Sequence, residues 1–149
     1  MLKLIHTEEP FADFLRLDRE LEEYYVRRFG DVALQYRLYN TLDAVTDVFT
    51  IYDVAVPAGI GCIRPFAADG AELKRVYVRE EYCRRGVARQ VLRAAEEAAR
   101  ARGKTYMVLE TGAESTEALA LYGSAGYERS EPFGQFRGDP LCVCMRKAL

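Results

Sequence analysis

The feature that most restricts the fold is a change of hydrophobic period in the middle of the chain. Leu73-Lys74-Arg75-Val76-Tyr77-Val78 reads as a strand, rich in the β-branched and aromatic residues that suit a pleated surface. From Gly86 onward Val87, Val91, Leu92, Ala95, Ala98 and Ala99 recur at helical spacing, with Arg89, Arg93, Glu96, Glu97 and Arg100 between them, until Gly103 ends the run. Thr105 to Glu110 follows as a short apolar strand. Two strands joined through a helix lie parallel in one sheet, so the chain is a mixed α/β protein.

The flanking segments fill in that sheet. Leu2 to His6 predicts a first strand, and Phe14, Leu17, Leu21, Tyr25 and Phe29 mark the buried face of a helix from Phe11 to Phe29 that stops at Gly30. Val48 to Val54 is a strand, Pro57-Ala58-Gly59 a turn, and Ile60 to Phe66 the returning arm of a hairpin. Asp69-Gly70 then turns the chain into the strand at Leu73, giving an antiparallel meander. A third helix runs from Ser115, as N-cap, to Ala125. Tyr127 to Ser130 and Leu141 to Arg146 close the sheet around a loop from Glu131 to Pro140. Asp31 to Asp47 shows some helical spacing but no firm caps, and its structure stays open.

With 149 residues the chain has the size of one domain, and it is expected to be a single unit over 1–149. A net charge of −2 disfavours binding to nucleic acid, which calls for clustered Lys and Arg. No apolar run is long enough for a membrane span, and no signal-peptide pattern opens the sequence, so a cytoplasmic protein without a membrane partner is expected. Cys62, Cys83, Cys142 and Cys144 read as reduced thiols. Cys142 and Cys144 fall on one face of a strand as small buried hydrophobes, and with His6 the lone histidine no metal is expected.

Chemistry enters at the turn Cys83-Arg84-Arg85-Gly86-Val87-Ala88. A helix N-terminus presents unpaired N–H groups and a positive dipole end, and Gly86 lets the backbone approach an anion closely. Arg84 and Arg85 add charge that can pair with phosphate oxygens. A solvated polar turn accounts for the same residues. Cys83, at an electropositive turn, is expected to have a lowered pKa and to react with alkylating agents.

Downstream, Ala118 to Tyr127 carries the pattern A-x-x-x-Y-x-x-x-G-Y. With the glycine turn and the order of elements, the chain resembles the GNAT family of N-acetyltransferases, whose acetyl-CoA motif is Q/R-x-x-G-x-G/A after the fourth strand. Cys83 departs from the first position of that motif. The resemblance implies the GNAT fold: a mostly antiparallel sheet, flanked by helices and splayed between its fourth and fifth strands, with acetyl-CoA as cosubstrate in the splay. It implies that the turn residues Arg84 to Arg89 (Arg84, Arg85, Gly86, Val87, Ala88, Arg89) bind the diphosphate. It places the pantetheine against the backbone of Val76, Tyr77 and Val78 and near Ser115, and makes Tyr122 the acid that protonates the departing sulfur.

The base is less defined. Glu72 lies eleven residues before Cys83, the offset of the catalytic glutamate in the histone-acetylating branch, and an exposed strand-edge glutamate is the alternative. Glu110 and Tyr77 are weaker polar candidates. The resemblance implies direct transfer of an acetyl group to a primary amine of a small molecule. The alternatives are a protein N-terminus or lysine, or a non-catalytic CoA-binding module. Acidic residues (Glu8, Glu9, Asp13, Asp18, Glu22, Glu23) and aromatics (Tyr24, Tyr25, Phe133, Phe136) stand where acceptor specificity resides in the family; acidic walls would favour a cationic amine, and a solvated helix face is the plainer reading. A homodimer through the apolar Leu141 to Met145 run is a further expectation, a core strand the alternative.

Overall fold

The computed structural model describes all residues from Met1 to Leu149. Its strands are β1 (Leu2–Thr7), β2 (Asp47–Asp53), β3 (Val56–Phe66), β4 (Gly70–Val78), β5 (Tyr106–Gly112), β6 (Glu128–Arg129) and β7 (Cys142–Ala148). Its helices are α1 (Ala12–Phe29), α2 (Val32–Gln35), α3 (Val87–Ala101) and α4 (Thr116–Ser124). The strands form one seven-stranded sheet in the order β1-β2-β3-β4-β5-β7-β6. Only β4 and β5 run parallel, as the intervening helix requires. That pairing extends no further than Gly70, Ala71 and Glu72 of β4 against Tyr106, Met107 and Val108 of β5. Beyond Glu72 the two strands diverge, so the inner edge of β4 from Leu73 to Val78 is left without a strand partner. The expected splayed, mostly antiparallel sheet is the one found.

Two helices clasp the sheet from opposite faces. On one side Phe14 and Leu17 of α1 pack with Val48, Ile60 and Cys62. On the other, Val87 and Val91 of α3 meet Ile51 and Ala58, while Leu92 and Ala95 join Leu73, Met107 and Leu109. Burying each of Val87, Val91 and Leu92 contributes at most about 1.5–3 kcal/mol. That seats α3, and therefore its N-terminus, firmly on the sheet.

The close seat of α3 explains one departure from the sequence reading. Pro57-Ala58-Gly59 is not the hairpin turn: Asp53 pairs with Val56, so the chain turns at Val54-Ala55, and Val54 has φ 57°. Gly59 and Gly61 lie within β3, where a Cβ would come within 2.6 Å of Val87 and 2.3 Å of Val91 respectively. These glycines make room for a helix; they do not bend the chain.

A second irregularity sits on the neighbouring strand. Ile60 pairs with Tyr77 but Cys62 pairs with Lys74, so Arg75 and Val76 together oppose Gly61. This is a β-bulge, and Arg75 takes the left-handed φ of 59°. The segment left open by the sequence forms α2 and a single 3-10 turn at Arg37–Tyr39. The backbone hydrogen bonds of residues 31–45 stay local. Side chains pin this arch instead: Lys74 Nζ donates to the Tyr39 carbonyl at 2.8 Å, and the Tyr36 hydroxyl donates to Asp139 at 2.5 Å. Of the Leu141 to Met145 run, Cys142 to Met145 join β7, which pairs with β5 along Cys142 to Ala148, while Leu141 stays outside the strand and exposed.

Candidate active site

The splay opens into a cleft of about 1290 Å³ walled by α1 and α2, β4, the end of β5 and the start of α4. At one end lies the turn before α3. Gly86, with φ 79°, and Arg84, with φ 64°, are both left-handed. The first helical hydrogen bond is Gln90 N to Gly86 O, and no backbone acceptor serves the N–H groups of Arg84 through Arg89. Consecutive free amides at a helix N-terminus form an anion-binding concavity.

The arginines of this turn are arranged less uniformly than the motif implies. Arg85 lies with its guanidinium 5.0 Å over the Tyr82 ring and 3.9 Å from Asp53. Arg89 donates to the Ser124 hydroxyl at 2.7 Å. Val87 is buried under the sheet, so only its backbone is available to a ligand. Among the turn residues Cys83 and Ala88 reach the cleft wall.

Cys83 is exposed, but the expected lowering of its pKa is not found. Burial of the sulfur and the nearby Glu80 push the thiol up, and Arg84 offsets only part of this. With less thiolate at neutral pH than a free cysteine carries, Cys83 should be alkylated by iodoacetamide more slowly than glutathione in a matched assay. A faster rate would contradict this electrostatic balance.

Further in, the cleft collects Val76, Tyr77 and Val78 on the open edge of β4, with Ser115 and Tyr122 opposite. Ser115 is the N-cap residue of α4 yet makes no side-chain capping bond, so capping does not account for it. Tyr122 is 8% exposed, and its hydroxyl has no hydrogen-bond partner among the protein side chains and backbone. Burial raises its pKa, with Tyr25 and Glu110 adding to the effect, so the phenol is neutral at physiological pH.

The two candidate carboxylates are in different states. Glu72, at the fork where β4 and β5 part, accepts from Arg64 Nε at 2.9 Å and Lys74 Nζ at 3.3 Å, and its side chain is 5% exposed. Lys74 is itself held by burial at a lowered pKa, partly offset by Glu72. Glu110, from β5, lines the cleft without a salt bridge. Burial pushes its carboxyl above the usual range, the Cys142 thiol and Lys74 working against that shift. A cleft-lining carboxyl that has no salt bridge and is raised above its ordinary value is a candidate general base.

The acidic wall expected on α1 is largely neutralised. Asp18 and Glu22 grip Arg75 at 2.6 and 2.8 Å, the Arg75 side chain being 2% exposed. Asp13 pairs with Arg16 and accepts from Tyr52. Sequence reasoning missed Arg75; the signal was an arginine in an apolar strand, with two acids four residues apart on a helix to receive it. Phe136 is 2% exposed and packs on Tyr39 and Phe133, away from the cleft. Tyr24 and Tyr25 do line it. At the mouth, Arg28 of α1 bonds Glu117 of α4, the Tyr24 hydroxyl and the Glu114 carbonyl.

Residues 12–127 match the model of the acetyltransferase (GNAT) family. The chain belongs to that family. An uncharacterized N-acetyltransferase of Bacillus subtilis is 36% identical over 94 residues, which is 62% of this chain and 62% of that protein. The chain thus spans about three-fifths of the length of that curated relative. Among solved structures, a Klebsiella pneumoniae protein assigned as an acyl-CoA N-acyltransferase superposes with a TM-score of 0.82 at 26% identity, covering 100% of this chain and 98% of the other. A GNAT acetyltransferase of Elizabethkingia anophelis, solved with acetyl-CoA bound, shares the fold with a TM-score of 0.71 at 15% identity, covering 99% and 98%. No helix is long and apolar enough to cross a membrane.

Proposed function

We propose that this member of the GNAT family is an acetyl-CoA-dependent N-acetyltransferase that passes an acetyl group directly to a primary amine of a small molecule within a ternary complex. The observation that carries the reading is one continuous cleft. It holds free helix-end amides at one end, an open strand edge along its length, and an unpaired carboxylate and an unpaired phenol at the other.

These orphaned groups fit acetyl-CoA. The N–H groups of Arg84 to Arg89 would hold the diphosphate, with Arg84 the freest of the neighbouring guanidinium groups. The edge of Val76 to Val78 would pair with the pantetheine amides as an added strand does. Ser115 stands opposite that edge as a further donor. Bound there, acetyl-CoA supplies an activated acyl group on a thiol leaving group.

The chain's own residues then divide the proton work. Glu110 takes a proton from the bound ammonium, directly or through water, leaving a neutral amine whose lone pair forms the C–N bond. The second proton, shed by the new amide nitrogen, restores the Tyr122 phenol once that phenol has protonated the sulfur. Backbone N–H groups of β4 polarise the thioester carbonyl. Tyr122 gives its proton to the sulfur as the C–S bond breaks. Glu72, held by Arg64 and Lys74, fixes the fork of the sheet; its carboxylate would serve as base only after losing both cations. The arch over the acceptor end, pinned through Tyr36 and Tyr39, favours a small acceptor over an extended polypeptide.

Acetyl-CoA should raise the melting temperature by mass action, by about 2.7 kcal/mol of stabilisation at a hundredfold excess over Kd, while NAD and ATP leave it unchanged. No shift at millimolar acetyl-CoA would sink the proposal. A shift with no transfer to any amine or peptide would leave a CoA-binding module.

A further inference from the structure

We propose that Cys142 of β7 is a positioning residue for Glu110: its thiol donates to the Glu110 carboxylate and holds it in place in its ionised form. This rests on the acetyltransferase reading above, in which Glu110 is the base, and adds to it a residue that acts through that base.

The register of the sheet brings the two side chains together. Across the antiparallel β5–β7 ladder Glu110 pairs with Cys144 and Gly112 with Cys142. Opposed residues share a face of a sheet, as do residues two apart on one strand, so Glu110 and Cys142 are diagonal neighbours on the same face. Gly112, opposite Cys142, has no side chain to stand between them. Both residues line the cleft. From β4, Glu72 and Lys74 share that face, because Glu72 pairs with Val108 two residues before Glu110. Lys74 Nζ is already bonded to Glu72 and to the Tyr39 carbonyl. The phenols of Tyr25 and Tyr122 face Glu110 from α1 and α4.

The supply of donors decides where the thiol hydrogen goes. The Cys142 sulfur lies 3.5 Å from Asp139 Oδ2, in the loop before β7. That oxygen already accepts from the Tyr36 hydroxyl at 2.5 Å, and Asp139 Oδ1 accepts from the Leu141 N–H at 2.9 Å. Asp139 is therefore served without the thiol. Glu110 is short of donors, and Cys142 is the one side chain whose hydrogen bonding bears on its carboxylate. A thiol hydrogen rotates freely about the Cβ–Sγ bond, and a carboxylate lacking donors gains more from it than one already holding two. Burial and the neighbouring Glu110 push the Cys142 thiol up, so it keeps its hydrogen at neutral pH and remains a donor.

Two measurements on the full chain test this. The first needs no acceptor: subtracting the infrared spectrum of Cys142→Ser or Cys142→Ala, whichever folds, from that of the unmodified protein isolates the Cys142 S–H stretch. The band should move to lower frequency as pH rises and Glu110 ionises, and Glu110→Gln should abolish that movement. A band indifferent to pH, or one that moves equally in Glu110→Gln, would overturn the proposal. The second follows kcat/KM against pH with acetyl-CoA and whichever of ethanolamine, benzylamine and spermidine is turned over fastest. A donor to the ionised carboxylate favours that form, so its loss in Cys142→Ala should move the acidic limb upward by about 0.5–1 pH unit, while Cys142→Ser, which keeps a donor, restores the limb. An unmoved limb in Cys142→Ala, or an equal displacement in Cys142→Ser, would reduce Cys142 to packing. If Glu110→Gln abolishes the limb but Cys142→Ala leaves it in place, only this proposal fails. If the limb survives in Glu110→Gln, the assignment of Glu110 as base fails with it.

Discussion

Exchanging Tyr122 for phenylalanine is expected to lower kcat and kcat/KM together by about 10²- to 10⁴-fold, with acetyl-CoA affinity changed by no more than about twofold. The hydroxyl has no protein partner, so its loss leaves no broken internal bond, and the ring keeps its packing beside Tyr127, 6.0 Å away. Its raised pKa makes Tyr122 a weaker acid than a free phenol, but the same burial destabilises any thiolate released beside it, so donor and acceptor shift in the same direction. Glu110→Gln should produce a loss of similar size by removing the base. Here the pH profile is diagnostic. Burial raises the Glu110 carboxyl above its ordinary value of 4.5, and only the ionised form accepts a proton. Activity should therefore fall, as pH is lowered, through a limb displaced upward from the ordinary carboxylate range, and that limb should vanish in Glu110→Gln. If Glu72→Gln removes the limb and Glu110→Gln does not, the base assignment is wrong. The distinction must be read with melting curves at hand, since Glu72→Gln also disturbs the pairs with Arg64 and Lys74.

Removing the Arg75 side chain should cost up to about 3–5 kcal/mol of stability, the upper figure being that for a fully buried pair, since the two carboxylates it leaves uncompensated are partly buried. Asp18 and Glu22 are 18% and 23% exposed, so neither is free to recover full hydration without α1 moving. Arg75→Ala keeps a Cβ at φ 59°, while Arg75→Gly removes that strain; the glycine variant should be the less destabilised of the two by up to about 1 kcal/mol. Urea denaturation of both, with Asp18→Asn as a third variant, measures the effect. A cost under about 1 kcal/mol for Arg75→Ala would mean that the ion cluster is not holding α1 to the bulge of β4. Because α1 carries Tyr25 into the cleft, the same variant should also raise the acceptor KM.

The fold was legible because its signals are local. Val87, Val91, Leu92, Ala95, Ala98 and Ala99 declare a helix by spacing alone, and the strand on either side of it then has to run parallel. The motifs around Gly86 and Tyr122 belong to the same short-range grammar. The misread hairpin turn shows its limit. Pro57-Ala58-Gly59 has the composition of a turn, but Gly59 serves contact with Val87, a residue 28 positions away.

What the sequence by itself determined was the order of elements and the parallel pair of strands around the central helix; the splayed sheet, and the meeting of the helix-end turn and Tyr122 in one cleft, came through its resemblance to the family. What only the tertiary structure decided was the state of each group there. Glu72 and Glu110 are the same residue type on neighbouring strands, but Arg64 and Lys74 neutralise the first while the second faces the cleft without a counter-ion. Cys83 sits at a turn bearing two arginines, but the environment supplied by Glu80 and burial raises its pKa instead of lowering it. The physical reason is that periodicity is carried by residues three or four apart, whereas charge, burial and hydrogen bonding depend on partners that only the folded chain brings together.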